Sequence, residues 1–239
     1  MKLAITAAAL SVMAVSSVAS AQIAYWQFPM TAPAQNYAIT FPLAADTKAN
    51  AGAAVITTNA SVWNGQTTTD VIGQGAFQYF GGTTLNAVGA ATAGQGLGFR
   101  GVTSPVVTPP SSPISNGKSM TLQFDTTSFT DIAMSYAERV TGTGPTTIVF
   151  AYSTDGTNFT DATTVSLTNR DSIFRVRTVD FSTIAALNNI PAAYIRMTFD
   201  GFTSATGAIR FDNIQIVPTP AAAALLGIGG LAAFRRRRA

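Results

Sequence analysis

From about residue 119 onward, apolar side chains recur at every second position, a spacing that fits strands and not helices. Met120, Leu122 and Phe124 share one face while Thr121 and Gln123 take the other. Ile132, Met134 and Tyr136 repeat the pattern, as do Ile148, Phe150 and Tyr152, and then Ile195, Met197 and Phe199. Phe174 and Val176 oppose Arg175 and Arg177 in the same way. A period of two puts one side of each strand in a core and the other in solvent, whereas a helix needs about 3.6 residues per repeat. Asp155-Gly156 marks a tight turn, and Gly142, Gly144 and Pro145 punctuate another connection. The last strand slips phase: Ile209 and Phe211 are in one register and Ile214 and Ile216 in the other, which a bulge across Asp212-Asn213 accommodates.

The first half is less regular. Ala53 to Thr58, Phe77 to Phe80 and Leu97 to Gly101 read as short strands. Gly101 to Gly117 holds four prolines among Ser, Thr and Gly and reads as a loop. Only Ser182 to Asn189 has room for a helical turn or two. Many amphipathic strands without helical crossovers predict an all-β antiparallel β-sandwich, jelly-roll-like, flanked by an N-terminal signal helix and a C-terminal hydrophobic sorting helix.

The two ends carry those helices. Lys2, the apolar Leu3 to Val18 and the small residues Ala19 and Ala21 make a secretory signal peptide over 1–21, cut by signal peptidase to leave a chain starting near Gln22. The sandwich is expected over 22–216 and a sorting segment over 217–239. There Pro218-Thr219-Pro220 leads into the apolar Ala221 to Phe234, which Arg235, Arg236, Arg237 and Arg238 close. Fourteen residues of helix reach about 21 Å at about 1.5 Å each, short of a hydrocarbon core of about 30 Å. Basic residues hold a segment end on the cytoplasmic side. The expectation is therefore transient or permanent inner-membrane insertion, with the body exported to the cell surface or beyond.

This tail resembles the PEP-CTERM sorting signal: a Pro-Glu-Pro motif, an apolar helix and an Arg-rich end. The resemblance implies an exosortase-like processing enzyme as partner and delivery to the surface or extracellular matrix. Thr219 stands where that family has Glu, which points to a variant of the system.

Charge must be read without the ends. Lys2 and the four tail arginines are five of the 14 basic residues, leaving nine against 11 acids, a body net of −2. That sets aside nucleic acid as a partner. The body arginines, among them Arg100, Arg139, Arg170 and Arg175, are scattered in sequence and form no basic block. With no Cys and no His, zinc sites of those ligands, Ser-His-Asp triads and Cys-His pairs are excluded. A calcium site through oxygen ligands stays open, with Asp212 as its candidate. Paired-carboxylate hydrolysis would have to use Glu138, the one glutamate, with an aspartate.

Glycan binding has a firmer basis. Flat rings hold the apolar faces of sugars, and Trp26, Trp63 and Tyr79 are the candidate contacts. The motifs GGTTLN (81–86), SMTLQF (119–124), YSTDGTNF (152–159) and IRFDNI (209–214) resemble those of galactose-binding-like and carbohydrate-binding sandwich domains. With no motif for hydrolysis, the expectation is a non-catalytic role, either structural or in contact with exopolysaccharide or another envelope glycan.

Overall fold

Among the described residues thirteen strands form, and the segments whose alternation reads as strand are among them. The computed structural model describes residues 22–28, 39, 41–60, 77–89, 93–101 and 115–219. The early strands are β1 (Ala24–Trp26), β2 (Leu43–Ala44), β3 (Thr47–Lys48), β4 (Val55–Thr58), β5 (Phe77–Gly81) and β6 (Gln95–Arg100). The later ones are β7 (Lys118–Phe124), β8 (Ile132–Val140), β9 (Thr147–Ser153), β10 (Thr160–Ser166), β11 (Arg175–Asp180), β12 (Ala193–Asp200) and β13 (Ala208–Pro218). Every pairing among them is antiparallel.

The strands divide between two sheets. One runs β10-β9-β12-β7-β4-β2. The other starts β11-β8-β13 and then splits along the free side of β13. There β6, with β5 outside it, pairs with residues 208–211, while β1, with β3 outside it, pairs with residues 214–216. Between the two sheets lies one core. Met120, Leu122, Phe124, Ile148, Phe150, Ile195, Met197 and Phe199 enter it from the first sheet. Met134, Tyr136, Leu97, Phe99, Ile209, Phe211, Ile214 and Ile216 enter from the second. Phe99 joins the layers, with its ring 4.8 Å from Phe199 and 4.7 Å from Phe77. Each such ring, fully buried, contributes about 1.5–3 kcal/mol of transfer free energy.

The phase slip in β13 is a bulge. The ladder to β8 shifts between Asp212 and Gln215, and Asn213 takes a left-handed φ of 50°. The extra residue lets Phe211 and Ile214 both point into the core. At Asp155-Gly156, Gly156 has φ 73° as the β9–β10 turn requires.

Three expectations need correction. Among the described residues there is no α-helix; the single helical turn is the 3-10 turn Ala185–Leu187, within the stretch that had room for one. The two terminal helices, on 1–21 and 221–234, lie outside the described residues, so the fold class is all-β without them. Among the described residues no helix is long and apolar enough to cross a membrane, so the expected C-terminal membrane segment and transmembrane helix are not part of the described fold. The third correction concerns β11, whose faces are reversed. Arg177 pairs in register with Tyr136 on the core side, and Val176 is 50% exposed. β11 is an edge strand beside buried Glu138, and Arg177 on the core side pairs with a carboxylate that would be costly to leave buried and unpaired.

Candidate functional site

On the solvent side of the second sheet, antiparallel register fixes which side chains stand next to one another, because directly paired residues share a face. Arg210 of β13 lies opposite Arg139 of β8 and, on its other flank, opposite Gly98 of β6. Gly98 in turn lies opposite Gln78 of β5, and Arg100 of β6 lies opposite Ala208. Two positions along from Gly98 and Gln78, Arg100 and Phe80 fall on the same face. The row from Arg139 through Arg210 and Gly98 to Gln78 crosses three inter-strand steps of about 4.8 Å, about 14 Å in all.

Two of these arginines lie over rings. The Arg210 guanidinium sits 4.1 Å from the Phe80 ring centroid, and that of Arg139 lies 5.9 Å from Phe174. A Cβ on Gly98 would run into the Phe80 ring, so the absence of a side chain there lets the ring lie against the sheet. Arg100 Nη1 donates to Gln78 Oε1 at 3.4 Å. The Nε atoms of Arg139 and Arg210 are buried with no hydrogen-bond partner among the described residues. The ion pairs among the described residues are Arg175–Asp171 and Arg177–Glu138, and neither uses Arg100, Arg139 or Arg210. Burial, first, and then the neighbouring Arg139 and Arg100 bring the Arg210 guanidinium down to about 10. Burial also lowers Arg100. Like charges placed opposite each other repel, so this arrangement costs stability unless something negative joins it.

Just past Arg210 the same strand is closed over by residues 82–88. Asp212 accepts the Thr83 N–H at 2.6 Å and the Asn213 N–H at 2.8 Å. Asn213 Nδ2 donates to the carbonyls of Thr83 and Leu85, and its Oδ1 accepts from the Tyr25 hydroxyl at 2.7 Å. Asn86 donates to the Asn213 carbonyl, and Gln215 donates to the Asn86 carbonyl. Burial pushes the Asp212 carboxyl up to about 7 against the pull of those two N–H groups.

The residues singled out from sequence fall in several places. Trp26 is in the core at 1% exposure, with its indole N–H donating to the Leu43 carbonyl. Tyr79 packs half-buried against the core, and burial raises its phenol. Trp63, Ala19, Ala21, Pro220 and Arg235–Arg238 lie outside the described residues. Pro218 ends β13 opposite Ile132, and Thr219 hydrogen-bonds through its N–H and hydroxyl to the Asp131 carbonyl. Asp212 is at the bulge with both oxygens on backbone N–H groups, and no group of three His, Cys, Asp or Glu able to hold a metal occurs among the described residues. Glu138 is buried and takes the Arg177 Nε–H at 2.8 Å. Sequence reasoning missed the arginine row. The available signal was Arg210 between core residues Ile209 and Phe211, and Arg139 beside core residue Val140, each at an outward parity.

No family model and no curated protein matches the chain. Among solved structures, the K2 cleaved adhesin domain of Lys-gingipain overlaps with a TM-score of 0.39 and 18% identity, over 68% of this chain and 89% of that one. A CBM61 module in complex with β-1,4-galactotriose gives 0.37 and 9%, over 68% and 86%. A family 6 carbohydrate-binding module gives 0.37 and 18%, over 68% and 87%. With TM-scores below 0.5, these overlaps carry no argument about ligand or activity.

Proposed function

We propose that this chain is a non-catalytic glycan-binding module of an exported surface or matrix protein, with the Gln78–Arg210–Arg139 row as its binding face. The observation that supports this reading is the row itself. Three guanidiniums and an amide are set at one face by strand register, and two of the guanidiniums are braced by half-buried rings with donors left unused. Guanidinium and amide groups are the side chains that bind sugar oxygens, and rigid strands present them at fixed spacing. Affinity electrophoresis of the full chain through gels containing single polysaccharides tests it. Retardation is expected in at least one gel, lost in Arg139→Ala/Arg210→Ala and kept in Arg196→Ala on the opposite sheet. Equal mobility in every gel overturns the reading.

Sorting belongs to the same proposal and is supported by the order of the sequence motifs. Signal peptidase would cut after Ala21, and an exosortase-like enzyme would act at Pro218-Thr219-Pro220. Mass spectrometry of the exported product checks both ends: a chain starting near Gln22 and ending near Pro220 is expected, and a product retaining Arg235–Arg238 contradicts the tail processing.

A further inference from the structure

We infer that the ligand of the arginine face is an acidic glycan, one whose sugars carry carboxylates; this rests on the glycan-binding reading and narrows it. The argument starts from charge. Arg139 and Arg210 are directly paired on adjacent strands, and Arg100 is on the same face. Among the described residues no ion pair neutralises any of the three. The carboxylate nearest along the strand, Asp212, is turned to the N–H groups of Thr83 and Asn213 and is 1% exposed. A neutral polysaccharide would leave this repulsion in place. A carboxylate removes it, and it matches the planar fork of a guanidinium with two parallel N–H···O bonds.

The rings fix the forks in advance. Phe80 lies between Gly98 and Arg210 in the packing of the face, so its role is to hold the guanidinium, which reduces the rotamer entropy lost on binding. The row of about 14 Å calls for an extended ligand and not a single small anion. An acidic sugar chain fits better than a nucleic acid. A duplex carries a charge every ~1.7 Å and is drawn to broad positive fields. This body is net negative, at −2, with three cations on one face. Charges spaced by whole sugar rings meet spaced arginines without requiring a continuous basic surface.

The test uses the full chain and four probes in solution: polygalacturonate, the same polymer after carboxyl reduction, a neutral β-glucan, and single-stranded DNA. The expected result is binding to polygalacturonate, at least tenfold weaker binding to the reduced polymer, and loss of affinity with added salt. Arg139→Lys/Arg210→Lys keeps the charge but not the fork and is expected to fall between the parent and the double alanine variant. Since the reduced polymer and the salt titration use the parent chain, a variant that fails to fold leaves the test intact. Equal binding to the reduced polymer or to the β-glucan overturns the acidic-ligand inference while the glycan reading stands. Binding to none of the sugars overturns both. Tighter binding to DNA than to polygalacturonate replaces the inferred ligand with a nucleic acid.

Discussion

The two halves of β13 belong to one strand, yet they treat their solvent side in opposite ways. From Asp212 to Gln215 the polar side chains find partners in residues 82–88, and none of them leaves a buried atom unpartnered. From Ala208 to Phe211 the strand presents Arg210 to Arg139 with buried Nε atoms unused. Buried polar groups are nearly always satisfied where their task is structural. The half that departs from this rule is the one proposed above as a binding face, and the contrast sets it against a hydrogen-bonded staple.

The staple can be broken through Asp212. Its carboxyl lies at about 7 in the fold against an ordinary 3.8, so the folded state binds the proton more tightly. Stability from this group is complete below pH 3.8 and is lost as pH rises to about 7, by at most about 4 kcal/mol at about 1.4 kcal/mol per pH unit. Urea midpoints between pH 4 and 7.5 are expected to fall, and Asp212→Asn to remove the slope; a flat parent profile rules this out.

Next in size is Asn213→Ala, which deletes three side-chain hydrogen bonds and puts Ala at φ 50°. A loss of about 3 kcal/mol is expected in chemical denaturation. Asn213→Gly removes the same bonds but tolerates the backbone, and should cost less. If the two variants are equal, strain at the bulge plays no part.

On the open half, Gly98→Ala forces Phe80 off the sheet and is expected to cost about 1–2 kcal/mol. It should also weaken glycan binding, because Arg210 loses its brace. Unchanged affinity with the expected stability loss would show that the ring does not organise the site.

The smallest effect is the most discriminating. Arg139→Gln removes one of two opposed cations and is expected to leave stability unchanged or raise it by about 0.5 kcal/mol, while glycan affinity drops. A loss above about 2 kcal/mol would mean that Arg139 is a structural residue like Asn213.

Much of the fold was legible because alternation is local. The inward sets of β7, β8, β9 and β12 follow from period two, and the slip at Asp212-Asn213 marked the bulge. The β11 face was misread because alternation tells only that two faces differ. Which face is inward depended on Glu138, a neighbour brought there by β8. Trp26 illustrates the same limit for the site: an aromatic near the start of the body suited a sugar platform, but pairing with Ile214 puts it in the core.

By itself, then, the sequence determined that the body is a stack of half-buried antiparallel strands and where the last strand breaks register. It also excluded every chemistry that needs Cys or His. Only the tertiary structure decided that Arg100, Arg139 and Arg210, distant along the chain, share one face, and that the ring of Phe80 holds one of them. The physical reason is range. Strand periodicity follows from backbone geometry within a few residues, whereas the order of strands in a sheet is set by how the whole core packs, and a face shared by β5, β6, β8 and β13 exists only after that choice is made.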